Sequence, residues 1–305
     1  MTANRAPTVG IVGVGIMGAA LMRNLRLAGF DVLGYDISPQ AMHELEAQGG
    51  RAAASARAVA EDADRIIVSL PTQAAVREAV LGERGIVAAV GRGQVVLECS
   101  TMPLELKQEV HDALGGAGMV ALDCPVSGTG AQARERDLVI FGSGDRAAFE
   151  ACGDLLRAVS KAQKYLGPFG AGTRMKFIAN HLVHCHTVAA AEALVLAEKA
   201  GMDGATALDA LSTSAGASVM LNVRGPLMVR RAYDQRSAQV KTYMKDMEII
   251  SRFALGLNCP VPMFSAGLQL FATALAQGRH EQEPAAIHAV LSMMANLKDS
   301  EVPHA

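Results

Sequence analysis

Short β-branched runs alternate with helical stretches through the first half of the chain. Nearly continuous apolar runs at Thr8–Val12, Asp31–Tyr35, Arg65–Ser69, Val95–Glu98, Val120–Asp123 and Leu138–Phe141 predict strands, and Lys164–Leu166 predicts one more. Stretches such as Met17–Ala28 and Ala74–Leu81 carry helical periodicity between them. Strands that lack polar alternation and are separated by helices predict a parallel sheet covered on both faces. Gly167-Pro168-Phe169-Gly170-Ala171-Gly172 breaks this pattern. Beyond it strand signals nearly vanish, and Thr173–Gly201, Gly204–Ser212, Lys241–Leu255, Ser265–Ala276 and Pro284–Leu297 all read as helices. The expected architecture is α/β over residues 1–168, a doubly wound, mostly parallel sheet, followed over 169–305 by an all-α domain that opens with a long interdomain helix. The last residues, from about Asp299, are expected to fray.

Composition narrows the class. A chain of 305 residues, half of them hydrophobic, has ample material for two globular domains. Its formal net charge of −2 offers no basic surface for nucleic acid. The five cysteines (Cys99, Cys124, Cys152, Cys185, Cys259) are odd in number and form no Cys-x-x-Cys pair, which argues against a disulfide framework or a thiolate zinc site and for a reducing cytoplasm. Met1–Pro7 lacks the long apolar region of a secretory signal. The apolar run Phe177–Ala200 carries Asn180, His181, His184, His186, Glu192 and Glu198, which would be costly in lipid, so it is read as a helix buried in protein and no membrane partner is expected.

Candidate chemistry begins with Gly13, Gly15 and Gly18, a Gly-x-Gly-x-x-Gly string between a predicted strand and a predicted helix. Gly13 allows a tight turn, Gly15 lets backbone approach a pyrophosphate, and Gly18 lets the helix pack on the strand. Ile16 and Met17 complete the turn, whose helix presents free N–H groups and the positive end of its dipole to phosphates. Asp36 ends the next strand, eighteen residues beyond Gly18, where a carboxylate can accept both ribose hydroxyls and repel a 2′-phosphate. This predicts a dinucleotide-binding Rossmann domain with NAD favoured and NADP possible; the plainer alternative is that Asp36 caps its own turn. Leu70 and Pro71 follow the third strand and Thr101 follows the fourth, so position makes them cofactor contacts.

Lys176 and Asn180, spaced i, i+4, share a face of the long, otherwise apolar helix. A lysine there, with Asn one turn on, is a candidate general acid/base: partial desolvation and the helix N-terminus disfavour its charged form and move its pKa toward neutrality. A snorkelling surface lysine is the plainer reading of spacing alone.

Four motifs in order resemble the β-hydroxyacid dehydrogenases, the group of 3-hydroxyisobutyrate dehydrogenase, tartronate semialdehyde reductase and glyoxylate/succinic semialdehyde reductase. They are Gly13–Gly18 with Asn24-Leu25 and Ala28-Gly29-Phe30; Asp123-Cys124-Pro125-Val126-Ser127-Gly128; Gly170-Ala171-Gly172 leading to Lys176 and Asn180; and Lys245-Asp246-Met247. The resemblance implies hydride transfer between a nicotinamide and a small β-hydroxy acid, such as 3-hydroxyisobutyrate, or its semialdehyde. It implies Lys176 as acid/base, Asn180 holding the substrate and helping to position Lys176, Ser127 and Gly128 binding the substrate carboxylate with Thr129 as a further substrate-binding residue of that loop, Lys245 against the cofactor, Asp246 structural, and a homodimer or homotetramer. The chain departs from the family where Thr129 replaces a glycine whose N–H often meets the substrate, where Arg136-Asp137 replaces Gly-Thr, and where Ala179 precedes Asn180. These changes bear on substrate identity and leave open whether Arg134 or Arg136 reaches the ligand.

Two rival readings fit the same residues less well. An imine reductase shares the architecture but lacks the family's lysine, which Lys176 supplies here. A catalytically silent dinucleotide-binding protein would not need Lys176, Asn180 and Ser127 together. The crowded His181, His184 and His186 do not show the i, i+4 spacing of a helical metal pair, so no metal is expected; His184 is expected to extend the polar face toward the site and the other two to sit at contacts.

Overall fold

The computed structural model describes residues 8–235 and 238–297. Met1–Pro7 and the fraying expected from Asp299 lie outside them. The chain divides into two compact units, 1–176 and 177–305. The division falls inside the long helix Ala171–Lys199, past the 168/169 break expected from sequence.

The first unit is built on a nine-stranded sheet: β1 Thr8–Val12, β2 Asp31–Tyr35, β3 Arg51–Ala52, β4 Arg65–Val68, β5 Val95–Glu98, β6 Val120–Asp123, β7 Val126–Ser127, β8 Val139–Gly144 and β9 Ala162–Tyr165. The order is β3-β2-β1-β4-β5-β6-β8-β7, with β9 beside β8. Strands β1 to β6 pair in parallel. β8 runs antiparallel to both β6 and β7, so the sheet is mixed at one end.

Two core clusters explain why the strands read as unbroken apolar runs. Val9 and Ile11 of β1, Ile67, Leu97 and Leu122 pack into one, with Leu21, Met22 and Leu25 of the first helix, Ile16–Leu27. Val12, Ile66, Val68, Val96 and Ala121 point the other way, onto Val59, Ala60, Leu106 and Val110. Successive side chains alternate between faces, and here both faces are dry. Each such side chain contributes on the order of 1.5–3 kcal/mol when fully buried.

β3 and β7 are too short to leave a period-2 pattern, which is why the sequence does not announce them. β6 and β7 pair with the same strand and are interrupted at Cys124-Pro125, where Pro125 instead accepts a hydrogen bond from Phe141 N–H through its carbonyl. The stretch expected as one helix over Ala74–Leu81 is α-helical at Gln73–Val76 and π-helical at Arg77–Leu81.

The second unit is helical: after the long helix come Gly204–Ser212, Val219–Val229, Val240–Gly256, Pro262–Ala276, a 3₁₀ turn Pro284–Ala286 and Ile287–Met294. Val219–Val229 is hidden in the sequence by Gly225-Pro226, ordinarily a helix breaker. Arg224, fully buried, pairs with Glu283 at 2.9 Å within this unit. Among the described residues no helix is long and apolar enough to cross a membrane.

Candidate active site

Strand order reverses between β1 and β4, and open parallel sheets bind ligands off the carboxyl ends of strands at such a point. The glycine turn lies there. Gly13 has φ +93°, and a Cβ on it would stand 2.2 Å from the carbonyl oxygen of Ser69, at the end of β4. A Cβ on Gly18 would stand 1.9 Å from the carbonyl oxygen of Gly13, so the turn and the helix close on each other. Gly15 differs: a Cβ there would meet nothing within 4 Å. Packing does not explain that glycine, whereas a phosphate brought against the backbone does. Gly15 is also the N-cap of Ile16–Leu27, with no side-chain cap and no acidic residue in the first turn. The helix's leading N–H groups are not capped by a side chain, and its first turn carries no carboxylate to oppose an anion.

Asp36 fixes this turn and retains capacity for a ligand. Its Oδ2 accepts the N–H of Val14 at 2.7 Å and its Oδ1 accepts the N–H of Ser38 at 2.9 Å. Both the capping reading and the ribose reading fit, because each carboxylate oxygen has a second lone pair. Leu70 donates its N–H to Ser100 Oγ at 3.0 Å, which ties the loop after β4 to the loop after β5 that carries Thr101. Pro71 stands exposed beside Leu70, and Thr101 is half-buried.

Ser127 ends β7, beyond the last residue of β6, and Gly128 follows with φ +141°. Thr129 is the N-cap of Gly130–Arg134. Its N–H goes to Gln132 Oε1 at 3.0 Å and its Oγ accepts the Gln132 N–H at 3.3 Å, a reciprocal capping box. Arg136 lies in the left-handed region at φ 57°, where glycine would be relaxed. Arg134 and Arg136 line a surface cavity with Arg23, Asn24, Leu27 and Ala28, at the C-terminal end of the helix whose N-terminus is the glycine turn. That end is roughly 15 Å from the turn at 1.5 Å per residue.

The start of the long helix is clamped by a cluster that sequence reading did not assign. Thr173 donates its N–H to Asp123 Oδ2 at 2.8 Å and its hydroxyl to Asp123 Oδ1 at 2.7 Å. Ser143 donates to the same carboxylate at 3.1 Å and accepts the Gly172 N–H at 2.9 Å. A Cβ on Gly172 would lie 2.2 Å from the carbonyl oxygen of Phe141, so only glycine lets the helix begin this close to the sheet. Lys176, three residues beyond Thr173, is buried at 8 % exposure. The snorkelling alternative does not describe it.

In the second unit, buried Asn180 donates from Nδ2 to Asp246 Oδ2 at 3.1 Å. Lys245 Nζ lies 3.1 Å from Asp246 Oδ1. His184 does not extend a polar face. It is enclosed by rings, with centroids 4.5 Å from Tyr243, 5.6 Å from Phe264 and 6.1 Å from Phe271, and its Nδ1 meets the carbonyl oxygen of Asn180. His181 stacks on Phe264 at 5.1 Å, and His186 is exposed.

The sequence matches two family models in succession. Residues 8–167 match the NAD binding domain of 6-phosphogluconate dehydrogenase, and residues 170–291 match the NAD-binding domain of NADP-dependent 3-hydroxyisobutyrate dehydrogenase. The chain is 31 % identical to an L-threonate dehydrogenase of Cupriavidus necator, over 92 % of this chain and 94 % of that one. It belongs to the β-hydroxyacid dehydrogenases. Another relative in this family, a 2-hydroxy-3-oxopropionate reductase of Escherichia coli, is 32 % identical over 95 % of this chain and 99 % of its own length. The crystal structure of 3-hydroxyisobutyrate dehydrogenase from Salmonella typhimurium superposes with a TM-score of 0.85 at 32 % identity, covering 93 % of this chain and 99 % of that one. The protein is therefore an NAD(P)-dependent oxidoreductase of small hydroxy acids or their semialdehydes. Imine reductases share the fold at a TM-score of 0.60 and 18 % identity, which is a likeness of fold alone.

Proposed function

We propose that this β-hydroxyacid dehydrogenase oxidises a small, 3-hydroxyisobutyrate-like β-hydroxy acid, or reduces the matching semialdehyde, with Lys176 as its general acid/base. The observation that carries this reading is the burial of an amine on the first turns of a helix whose start is fixed by Asp123. Gly13, Gly15, Ile16, Met17 and Gly18 would hold the pyrophosphate, Asp36 the adenosine ribose, and Leu70, Pro71 and Thr101 the nicotinamide half, with Lys245 also against the dinucleotide. Asp36 favours NAD, since a 2′-phosphate beside its carboxylate would meet like charge. When bound, the dinucleotide supplies hydride chemistry at C4 of its nicotinamide.

Ser127 Oγ and the Gly128 N–H would take the substrate carboxylate. Thr129 would contact the substrate from the same loop, whose shape its bonds to Gln132 set. In oxidation, neutral Lys176 accepts the hydroxyl proton as the carbinol carbon gives up its hydride and the C–O bond becomes a carbonyl. In reduction, the Lys176 ammonium returns the proton to that oxygen. Asn180, held by Asp246, would fix the substrate oxygen and the lysine.

We further propose a functional boundary near 168/169, just before the long helix, together with cytoplasmic residence and a homodimer or homotetramer. Five free cysteines suit a reducing compartment. Exposed Ile178, Leu182 and Leu196 along the long helix suit a partner copy.

The test is Lys176→Ala. It should bind NADH within a fewfold of the parent while turnover drops by about 10²–10⁴-fold. A variant that keeps most of its rate would remove Lys176 from the reaction.

A further inference from the structure

We infer that Lys107, Asp123 and Thr173 form a buried positioning device that sets Lys176 for proton transfer, an assignment that rests on Lys176 being the acid/base. The device starts at the carboxyl ends of the strands. Lys107, on the helix Leu104–Gly116, is 1 % exposed and lies 3.0 Å from Asp123 Oδ1. Its Nζ also donates to the carbonyl oxygen of Glu98 at 3.1 Å and pairs with the Glu98 carboxylate. Glu98 Oε1 accepts the N–H of Ser100 at 3.0 Å, and Ser100 Oγ accepts the N–H of Leu70. One connected chain of hydrogen bonds thus runs from the loops after β4 and β5, through Lys107 and Asp123, to the first turn of the long helix.

The chain ends on that helix because its charges need compensation there. One ammonium against two carboxylates leaves a net charge of −1 in a dry site, which is costly without compensation. The N-terminus of a 29-residue helix supplies the equivalent of about half a positive charge. Asp123 takes it up through both the N–H and the hydroxyl of Thr173. With Lys107 and Ser143 added, its two oxygens accept four bonds, the full capacity of a carboxylate. Such a group has a single satisfied orientation, so it fixes the axial position and rotation of the helix. Thr173 and Lys176 are three residues apart and therefore neighbours on one face. A displacement of about 1 Å at a reacting group can cost about 10²-fold in rate.

Thr173 is the position at which to test this, because valine has the same shape and lacks only the hydroxyl. In the full-length enzyme, Thr173→Val should lower kcat by about ten- to a hundredfold. It should leave NADH affinity within twofold, and it should shift the kcat/KM pH midpoint that Lys176→Ala abolishes. Thr173→Ser, which restores the hydroxyl, should recover most of kcat. If Lys176→Ala is inactive but Thr173→Val keeps kcat and pH midpoint, the positioning inference alone is wrong. The same holds if Thr173→Ser is as slow as Thr173→Val, or if cofactor affinity falls in step with kcat, since either result points to general loosening. If Lys176→Ala remains active, the reading beneath the inference fails first.

Discussion

Asn180 gives its amide N–H to Asp246 while Lys245 closes on the other oxygen of that carboxylate. The bond orients the amide: Nδ2 faces Asp246, which leaves the side-chain Oδ1 to accept from the substrate hydroxyl or ammonium that the proposed mechanism places there. If Asn180 meets the substrate as proposed, Asp246, expected to be structural, should act on turnover through that amide. Asp246→Ala should reduce kcat/KM for the hydroxy acid by about 10–100-fold, the usual scale for groups that orient a reacting shell. Steady-state kinetics checks the magnitude. The amide can be rescued by Asp246→Asn, whose carbonyl still accepts from Nδ2. If Asp246→Asn is as impaired as the alanine variant, charge rather than orientation is what Asp246 provides.

Gly15 and Gly18 should separate binding from folding. A Cβ on Gly15 would meet nothing within 4 Å, whereas one on Gly18 would meet the carbonyl oxygen of Gly13 at 1.9 Å. Gly15→Val is therefore expected to keep the thermal midpoint of the ligand-free protein within about 2 °C while weakening NADH binding at least about tenfold, a loss of about 1.4 kcal/mol. Gly18→Val should lower the midpoint itself. Calorimetry with and without NADH reads both. Equal destabilisation by the two substitutions would count against a phosphate site at Gly15.

The helical unit should be acid-sensitive through Glu198. Burial acts to raise its carboxyl, but His288 at 3.4 Å and Arg231 at 3.6 Å prevail and hold it below the usual range. A depressed carboxylate contributes stability that is full above its unfolded value of about 4.3 and is lost as pH falls through the lower folded value. Denaturant midpoints should drop between about pH 5 and pH 3 in the parent. Glu198→Gln should be less stable at pH 7 and should show a smaller drop over that interval. A parallel acid dependence in both proteins would mean that other carboxylates control the transition.

Much of this was legible because two physical periods are strong. Strands dry on both faces write themselves as unbroken apolar runs, and β1, β2, β5 and β6 fall where those runs fall. The glycine string was legible because Gly13 and Gly18 are forced by contact distances of the backbone itself. β7 was not, since two residues beyond a proline carry no period. The helix Val219–Val229 was not, because Gly225-Pro226 signals a break that packing overrides. At the site, Lys176 and Asn180 stood out as polar groups on an apolar helix. Lys107, Ser143 and Thr173 did not, because each is an ordinary residue whose importance comes from Asp123 lying beside it in space, up to fifty positions away in the chain. His184 misled for the opposite reason: its spacing is polar, but its neighbours are Tyr243, Phe264 and Phe271.

The distribution of sulfur has a practical corollary. Cys124 and Cys152 lie in the core; burial pushes the first thiol well above the usual range and the second up to about 11. Cys259, by contrast, is exposed in the turn between Val240–Gly256 and Pro262–Ala276. Alkylating dyes at neutral pH should reach that sulfur well before the core ones, so the native chain offers its own attachment point for fluorescence work, with the Asp123 clamp left untouched.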